Sequence, residues 1–259
     1  MKSVFITGAS SGIGAALARQ YAGQGAVLGL VARRHDVLEQ LRLSLPHPEK
    51  HRVYALDVTD HAALALAAAD FISLTGQVDV VIANAGISVG TLTEYSADLA
   101  VFARVMETNL MATVATFGSF IAHMKLHARH ANCRLVGIGS VAGIRGLPGA
   151  EAYSASKAAV ISYCESLRVE LRSSGIRVVT IAPGYIDTPM TRDNPYPMPF
   201  LMPVVEFARA AVAAIERGAS YCVIPWQMGG VAKVLRLLPN FLYDPLFEKA
   251  RRKPRKGEQ

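Results

Sequence analysis

Tyr153 and Lys157 stand four residues apart in the run Tyr-Ser-Ala-Ser-Lys, and Ser140 closes an apolar run thirteen positions earlier. Residues four apart share one face of a helix, so this spacing sets an ammonium beside a phenol, with a serine hydroxyl approaching from a strand end. A free phenol titrates near ~10, and a neighbouring cation favours its ionised form, which brings proton exchange closer to neutrality. The chemistry implied is general acid/base transfer to or from an oxygen. The competing reading is a buried tyrosine beside a surface lysine.

A second group of residues suits phosphate. Thr7 to Gly14 reads Thr-Gly-Ala-Ser-Ser-Gly-Ile-Gly, between an apolar run and a helical pattern that begins near Ile13. Gly8, Gly12 and Gly14 permit a tight turn and close backbone approach, while a helix opening there aims amide donors at an anion. Alternatively, the glycines only shape a turn. Arg33 and Arg34 follow the next apolar run, where an acidic residue would bond the adenosine ribose of NAD. A guanidinium there can grip the 2′-phosphate of NADP in a fork, whereas a carboxylate would repel it. A solvated turn carrying two arginines is the alternative. Asp57, with Val58 beside it, follows the third run and is either an acceptor for an adenine amino group or a turn or cap residue. Asn84 to Gly86 ends the fourth run as a small-residue turn, with or without a cofactor against it.

These residues need a scaffold that places strand ends side by side. Apolar runs at residues 4–7, 26–31, 52–56, 78–83, 134–139, 176–182 and 221–224 show no polar alternation, as expected of strands covered on both faces. Helical patterns lie at 13–24, 36–45, 61–75, 97–128, 151–173 and 204–217. The expected architecture is α/β and doubly wound, a seven-stranded parallel sheet with helices on both faces. Prolines between Pro183 and Pro203 exclude continuous helix, and that stretch reads as a loop over the site.

Composition supports this frame. The 259 residues are 51% hydrophobic and 18% charged, enough to bury a large core around one sheet. The formal charge is +7, but Lys249, Arg251, Arg252, Lys253, Arg255 and Lys256 supply most of it. The body is therefore nearly neutral and offers no nucleic-acid-binding surface, and the basic end reads as a solvated tail. Cys133, Cys164 and Cys222 lie in apolar runs and read as small buried hydrophobes in a reducing compartment, with no metal site expected. No cleaved signal is expected, and the longest uncharged stretch, residues 108–124, falls short of the ~18 to 20 apolar residues a bilayer span needs.

Taken together, TGASSGIG at Thr7, ANAG at Ala83, Asn109, Ser140, YSASK at Tyr153 and PGYIDT at Pro183 resemble the short-chain dehydrogenase/reductase family over roughly residues 1–225. The resemblance implies a Rossmann fold and hydride exchange between a nicotinamide cofactor and a carbonyl or alcohol. It implies Tyr153 as general acid/base, Ser140 polarising the substrate carbonyl, Lys157 holding the nicotinamide ribose and lowering the Tyr153 pKa, and Asn109 holding a helix kink and a relay water. For the cofactor it implies Gly8, Ser10 and Ile13 at the pyrophosphate, Asp57 and Val58 at adenine, and Asn84 near the adenine ribose. Ile186 and Thr188, in the segment opened by Pro183 and Gly184, would meet the nicotinamide amide. Ala83 departs from the asparagine that many members carry there.

The chain also continues past Ile224, through Pro225 and Trp226 into an apolar segment reaching Phe247, where many members end; residues 226–259 are expected to form an extension of the same domain. That feature is similar to members acting on lipid-like substrates. Val231, Val234, Leu235 and Leu238 would form one apolar helical face, packed on the domain or a partner, or in contact with a membrane surface. The expected protein is a cytoplasmic, homodimeric or tetrameric NADP(H)-dependent reductase of an apolar carbonyl, enclosed by residues 190–205 and 226–247. The alternatives are a non-catalytic NADP(H) sensor and a membrane-surface scaffold.

Overall fold

Apolar runs without alternation become a parallel sheet because neither face meets water. The structure, a computed structural model, describes residues 1–128, 132–192, 194–249 and 252–255. Its strands are β1 (Ser3–Thr7), β2 (Val27–Ala32), β3 (Arg52–Ala55), β4 (Val80–Ala83), β5 (Arg134–Ile138), β6 (Arg177–Pro183), the two-residue β7 (Ile186–Asp187) and β8 (Met202–Pro203), and β9 (Tyr221–Ile224). Seven form one parallel sheet in the order β3-β2-β1-β4-β5-β6-β9, and β7 pairs separately with β8. The pairings Phe5 with Gly29 and Phe5 with Val81 put β1 between β2 and β4 in the interior of the sheet.

Helices α1 (Gly12–Ala22), α2 (His35–Ser44), α3 (His61–Thr75), α4 (Asp98–Met106), α5 (Ala112–His127), α6 (Glu151–Glu170) and α7 (Val204–Arg217) cover both faces. Leu17, Tyr21, Phe207 and Ile215 close the core under α1 and α7. On the other face Phe5 meets Phe120 and Phe71 at ring separations of 4.8 and 5.5 Å. Each such ring contributes roughly 1.5–3 kcal/mol of hydrophobic burial. The chain moves outward from β1 in one direction and from β4 in the other, so a crevice opens between their carboxyl ends.

Four sequence expectations need amendment. The helix expected over 97–128 is broken by a π-helical turn at Glu107–Met111, where Asn109 hydrogen-bonds the chain outside the helix. Residues 226–247 form α8 (Trp226–Leu237) and α9 (Asn240–Phe247), and the packed side of α8 carries Met228 and Ala232 while Val234 faces outward. Cys133 and Cys164 are buried as expected, but Cys222 on the edge strand is only half-buried. The basic end is only partly a solvated tail where it is described: Lys249 and Arg252 are exposed, but Lys253 donates to Ser88 Oγ at 3.0 Å, and Arg255 pairs with Asp98 at 2.8 Å. Arg251 and Lys256 lie outside the described residues.

Candidate active site

Thr7 ends β1 with its hydroxyl buried, accepting from the amides of Asn84 and Ala85 at 3.0 and 3.1 Å. Asn84 answers from the end of β4, its Nδ2 donating to the carbonyls of Thr7 and Gly8 at 2.9 and 3.2 Å. The glycine turn and the Asn84–Gly86 turn are thereby fastened into one floor. A Cβ on Gly14 would fall on the Gly8 carbonyl oxygen, so only glycine lets α1 begin this close to the strand end. The first turn of α1 has no side-chain cap and no acidic residue, leaving its amides for an anion. The cradle fits a pyrophosphate.

At the outer end Arg34 Nη2 donates to Ser10 Oγ at 3.2 Å, and Arg33 stands 3.7 Å from Asp57 while remaining 73% exposed. Asp57 Oδ1 accepts from the Thr59 amide at 3.0 Å and hydroxyl at 2.9 Å, so hydrogen bonding shows a turn residue here, and the α3 cap is Asp60 instead. Burial alone would raise the Asp57 carboxyl, but the Thr59 donors and Arg33 together hold it below the usual value. Ser10, Arg33 and Arg34 thus face one opening with hydroxyl and guanidinium donors, a set that suits a phosphate monoester.

The inner end gathers Ser140, Tyr153 and Lys157. Helix α6 carries the tyrosine and lysine one turn apart, and Ser140 extends from β5. Lys157 Nζ donates to the Ile138 carbonyl at 2.7 Å and sits 5.9 Å from the Tyr153 ring centroid. Burial pushes the Tyr153 phenol up, and its hydrogen bond with Ser140 opposes that. Burial likewise lowers the Lys157 ammonium to about 8.

Asn109 is buried in the π-helical turn, its Oδ1 accepting from Ile87 N at 2.8 Å and its Nδ2 donating to Ile87 O at 3.0 Å and Ser156 Oγ at 2.9 Å. It ties the chain after β4 to α6. Gly86 lies beneath it, where a Cβ would stand 3.2 Å from Asn109 Oδ1 and 3.6 Å from Lys157 Nζ.

One cavity of about 590 Å³ joins these ends. Gly8, Ser10, Gly12, Ile13, Arg33, Arg34, Asp57, Val58, Asn84, Gly86, Ser140, Tyr153, Lys157, Pro183, Gly184, Ile186 and Thr188 all line it; Gly14 and Asn109 support it from behind. Ile87, Val89, Arg104 and Thr108 also line it and were not singled out by sequence; the i, i+4 spacing of Arg104 and Thr108 was the one available signal. Tyr196, in the proline-rich loop, was missed too: burial first, then Tyr185 and Tyr153 nearby, push its phenol up to about 12. No cluster of His, Cys, Asp or Glu able to hold a metal occurs among the described residues.

The expected apolar enclosure takes a different form. Met190 faces the cavity, but Phe200, Leu201 and Met202 line a separate groove of about 470 Å³ with Trp226 and Gln227. The extension instead reaches the loop before α6. Arg145 donates to the carbonyls of Leu235 and Leu238 at 2.9 and 2.8 Å and lies 4.0 Å from the Tyr243 ring centroid, while Tyr243 Oη donates to Gly146 O at 2.5 Å.

Comparison with known proteins gives concordant matches. A family described as short chain dehydrogenase matches residues 2–197. A Myxococcus xanthus protein described as an uncharacterized oxidoreductase is 35% identical, covering 94% of this chain and 95% of that one. The Bos taurus dehydrogenase/reductase SDR family member 7B is 33% identical over 98% of this chain and 83% of its own. The crystal structure of a 3-ketoacyl-(acyl-carrier-protein) reductase from Brucella melitensis, complexed with NADH, superposes with a TM-score of 0.79 at 26% identity, covering 86% of this chain and 96% of that one.

Proposed function

The chain belongs to the short-chain dehydrogenase/reductase family, and on that premise we propose that it is an NADP(H)-dependent reductase of ketones or aldehydes with a sizeable apolar portion. The observation that carries this reading is a single cavity with Ser140, Tyr153 and Lys157 at one end and Ser10, Arg33 and Arg34 at the other. Gly8, Gly12, Ile13 and Gly14 would hold the pyrophosphate, Asp57, Val58, Asn84 and Gly86 the adenosine side, and Pro183, Gly184, Ile186 and Thr188 the nicotinamide side. A bound nicotinamide supplies or accepts the hydride.

The chain's own residues handle the oxygen. Ser140 donates to the substrate carbonyl and orients it, and Tyr153 gives its phenolic proton to that oxygen in the reductive direction. Lys157 holds a ribose hydroxyl, and its ammonium stabilises the phenolate left on Tyr153. Asn109 fixes the π-helical turn and, through Ile87, part of the cavity wall. Residues 1–225 with the 226–259 extension act as one domain, and the helices bearing Asn109 and Tyr153 form the homodimer contact.

The NADH complex belongs to the Brucella reductase; for this chain the paired arginines support NADP(H). Side-by-side titration with NADPH and NADH, followed by cofactor oxidation with a panel of aldehydes and ketones, tests the reading. Tighter NADPH binding and carbonyl-dependent oxidation support it. Equal or tighter NADH binding overturns the cofactor assignment, and NADPH binding without turnover on any carbonyl leaves a sensor. A second reading, contact with a membrane surface, draws on the outward-facing Trp226, Val234, Leu237, Phe241 and Leu246 of α8 and α9. None of the helices is long and apolar enough to cross a membrane among the described residues.

A further inference from the structure

Residues 252–255 return from the end of the extension to lie across two loops that flank the cavity. Arg255 pairs with Gly90 as an isolated parallel bridge, and its Nε and Nη2 donate to Asp98 Oδ2 and Oδ1 at 2.8 and 3.1 Å. Its guanidinium also lies 3.5 Å from the Tyr95 ring centroid. Asp98 is no ordinary surface acid: its side chain is 6% exposed, and the same Oδ2 accepts from the Leu92 amide at 2.8 Å. Buried carboxylates need paired donors, so Arg255 answers a requirement set inside the fold.

The sequence leaves room for this crossing. A Cβ on Gly90 would collide with the carbonyl oxygens of Lys253 and Pro254, and one on Gly149 would come within 2.8 Å of the Arg252 side chain. Gly90 belongs to the loop after β4 and Gly149 to the loop before α6, which leads directly to Tyr153. Thr91 N donates to Gly149 O at 3.4 Å and Thr93 N to Glu151 Oε1 at 3.1 Å, so the two loops touch under the crossing chain. Lys253 reaches Ser88, which sits between the cavity-lining Ile87 and Val89. Farther along, Arg145 and Tyr243 bind the second loop to α8 and α9.

We propose that residues 252–255 form a clasp, latched by Arg255 on Asp98, that positions both loops flanking the substrate end of the cavity. This rests on the reading of that cavity as a carbonyl-reducing site. Arg255 and Asp98 are positioning residues: they act on substrate through Ile87 and Val89 and through the approach to Tyr153, and leave the cofactor cradle alone.

The test uses the full chain saturated with NADPH, comparing wild type with Arg255→Ala, Asp98→Asn and their double variant. Hydrogen exchange needs no turnover and reads the clasp directly. Loss of one charge-assisted pair predicts at least about tenfold faster exchange of the amides at residues 87–93, with β1 and β4 amides unchanged. With decanal as probe, KM rises about tenfold in each single variant while kcat and NADPH affinity stay within about twofold, and the double variant is no worse than either single one. Arg255→Lys recovers part of the loss. Unchanged exchange at residues 87–93 overturns the clasp whether or not decanal is reduced. So does a uniform fall in stability, kcat and NADPH affinity without a local effect, which marks a merely structural pair. If wild type binds NADPH but reduces no carbonyl while the exchange result holds, the functional reading fails and the clasp stands.

Discussion

Tyr153 and Lys157 are shaped by burial before any partner acts on them. Burial favours the neutral form of each, raising the phenol and lowering the ammonium to about 8, so at neutral pH Tyr153 carries its proton and Lys157 still carries charge. That is the state required to protonate a carbonyl oxygen. As pH climbs through about 8, Lys157 loses its proton and with it the support for a phenolate on Tyr153. Reductive kcat/KM is therefore expected to be level on the acid side and to fall above that pH, and alcohol oxidation, which needs the deprotonated phenol, to rise with pH. A pH profile in both directions checks this; a reductive rate that increases through the same range contradicts it. At the other end of the cavity, Arg33→Ser removes one charge-assisted phosphate contact, worth about 1.5–3 kcal/mol or roughly 10- to 100-fold in NADPH affinity. NADH affinity should not change, and isothermal titration of both cofactors distinguishes a phosphate ligand from a solvated arginine. These residues were legible in the sequence because their chemistry depends on local spacing: four residues on a helix, or a charge just past a strand. Tyr196 was illegible, because its approach to Tyr153 depends on the path of a proline-rich loop that no periodicity encodes.

The elements bring those residues together by hydrogen bonds between loops. Thr7 and Asn84 join the turns after β1 and β4, and Asn109 joins the loop after β4 to α6 through a π-helical turn. Asn84→Ala leaves the Thr7 and Gly8 carbonyls without their donor and should cost about 1–3 kcal/mol. Urea unfolding monitored by circular dichroism reads this directly, and an unchanged midpoint would show that the staple is dispensable. Strands were legible because sheet burial demands continuous apolar runs, and α3 matches its expected span of 61–75. The break in the helix expected over 97–128 was not legible in periodicity, since a π-helical turn costs the apolar pattern nothing, and only the family resemblance pointed to it, through a kink at Asn109. The clasp was illegible for a related reason. Six basic residues close together read as solvated, and only the fold reveals that Asp98, far away in sequence, is buried and faces Arg255.

At the scale of the whole molecule, a doubly wound sheet puts its crevice at the switch between β1 and β4, and the extension braces the substrate side of that crevice. The apolar residues expected to enclose substrate divide between two places. Met190 meets the cavity, whereas Phe200, Leu201 and Trp226 line a groove on the outer side of β9. Each methylene added to an aldehyde should then improve kcat/KM by up to about fourfold, or 0.8 kcal/mol, until the cavity fills. Met190→Ala should flatten that chain-length series and Trp226→Ala should leave it unchanged; the reverse result would return the enclosure to the α8 side.

The central claim is that Tyr153 gives its proton to a carbonyl oxygen in an NADPH-filled cavity, and Tyr153→Phe tests it most directly, because the change removes one hydroxyl and keeps the ring. NADPH oxidation by aldehydes is followed for the variant and the wild type, with folding checked by circular dichroism and NADPH affinity by titration. The account predicts a native fold, NADPH binding within about twofold of wild type, and a rate lower by at least about 10² to 10⁴. Near-normal turnover in a folded, NADPH-binding variant would contradict it.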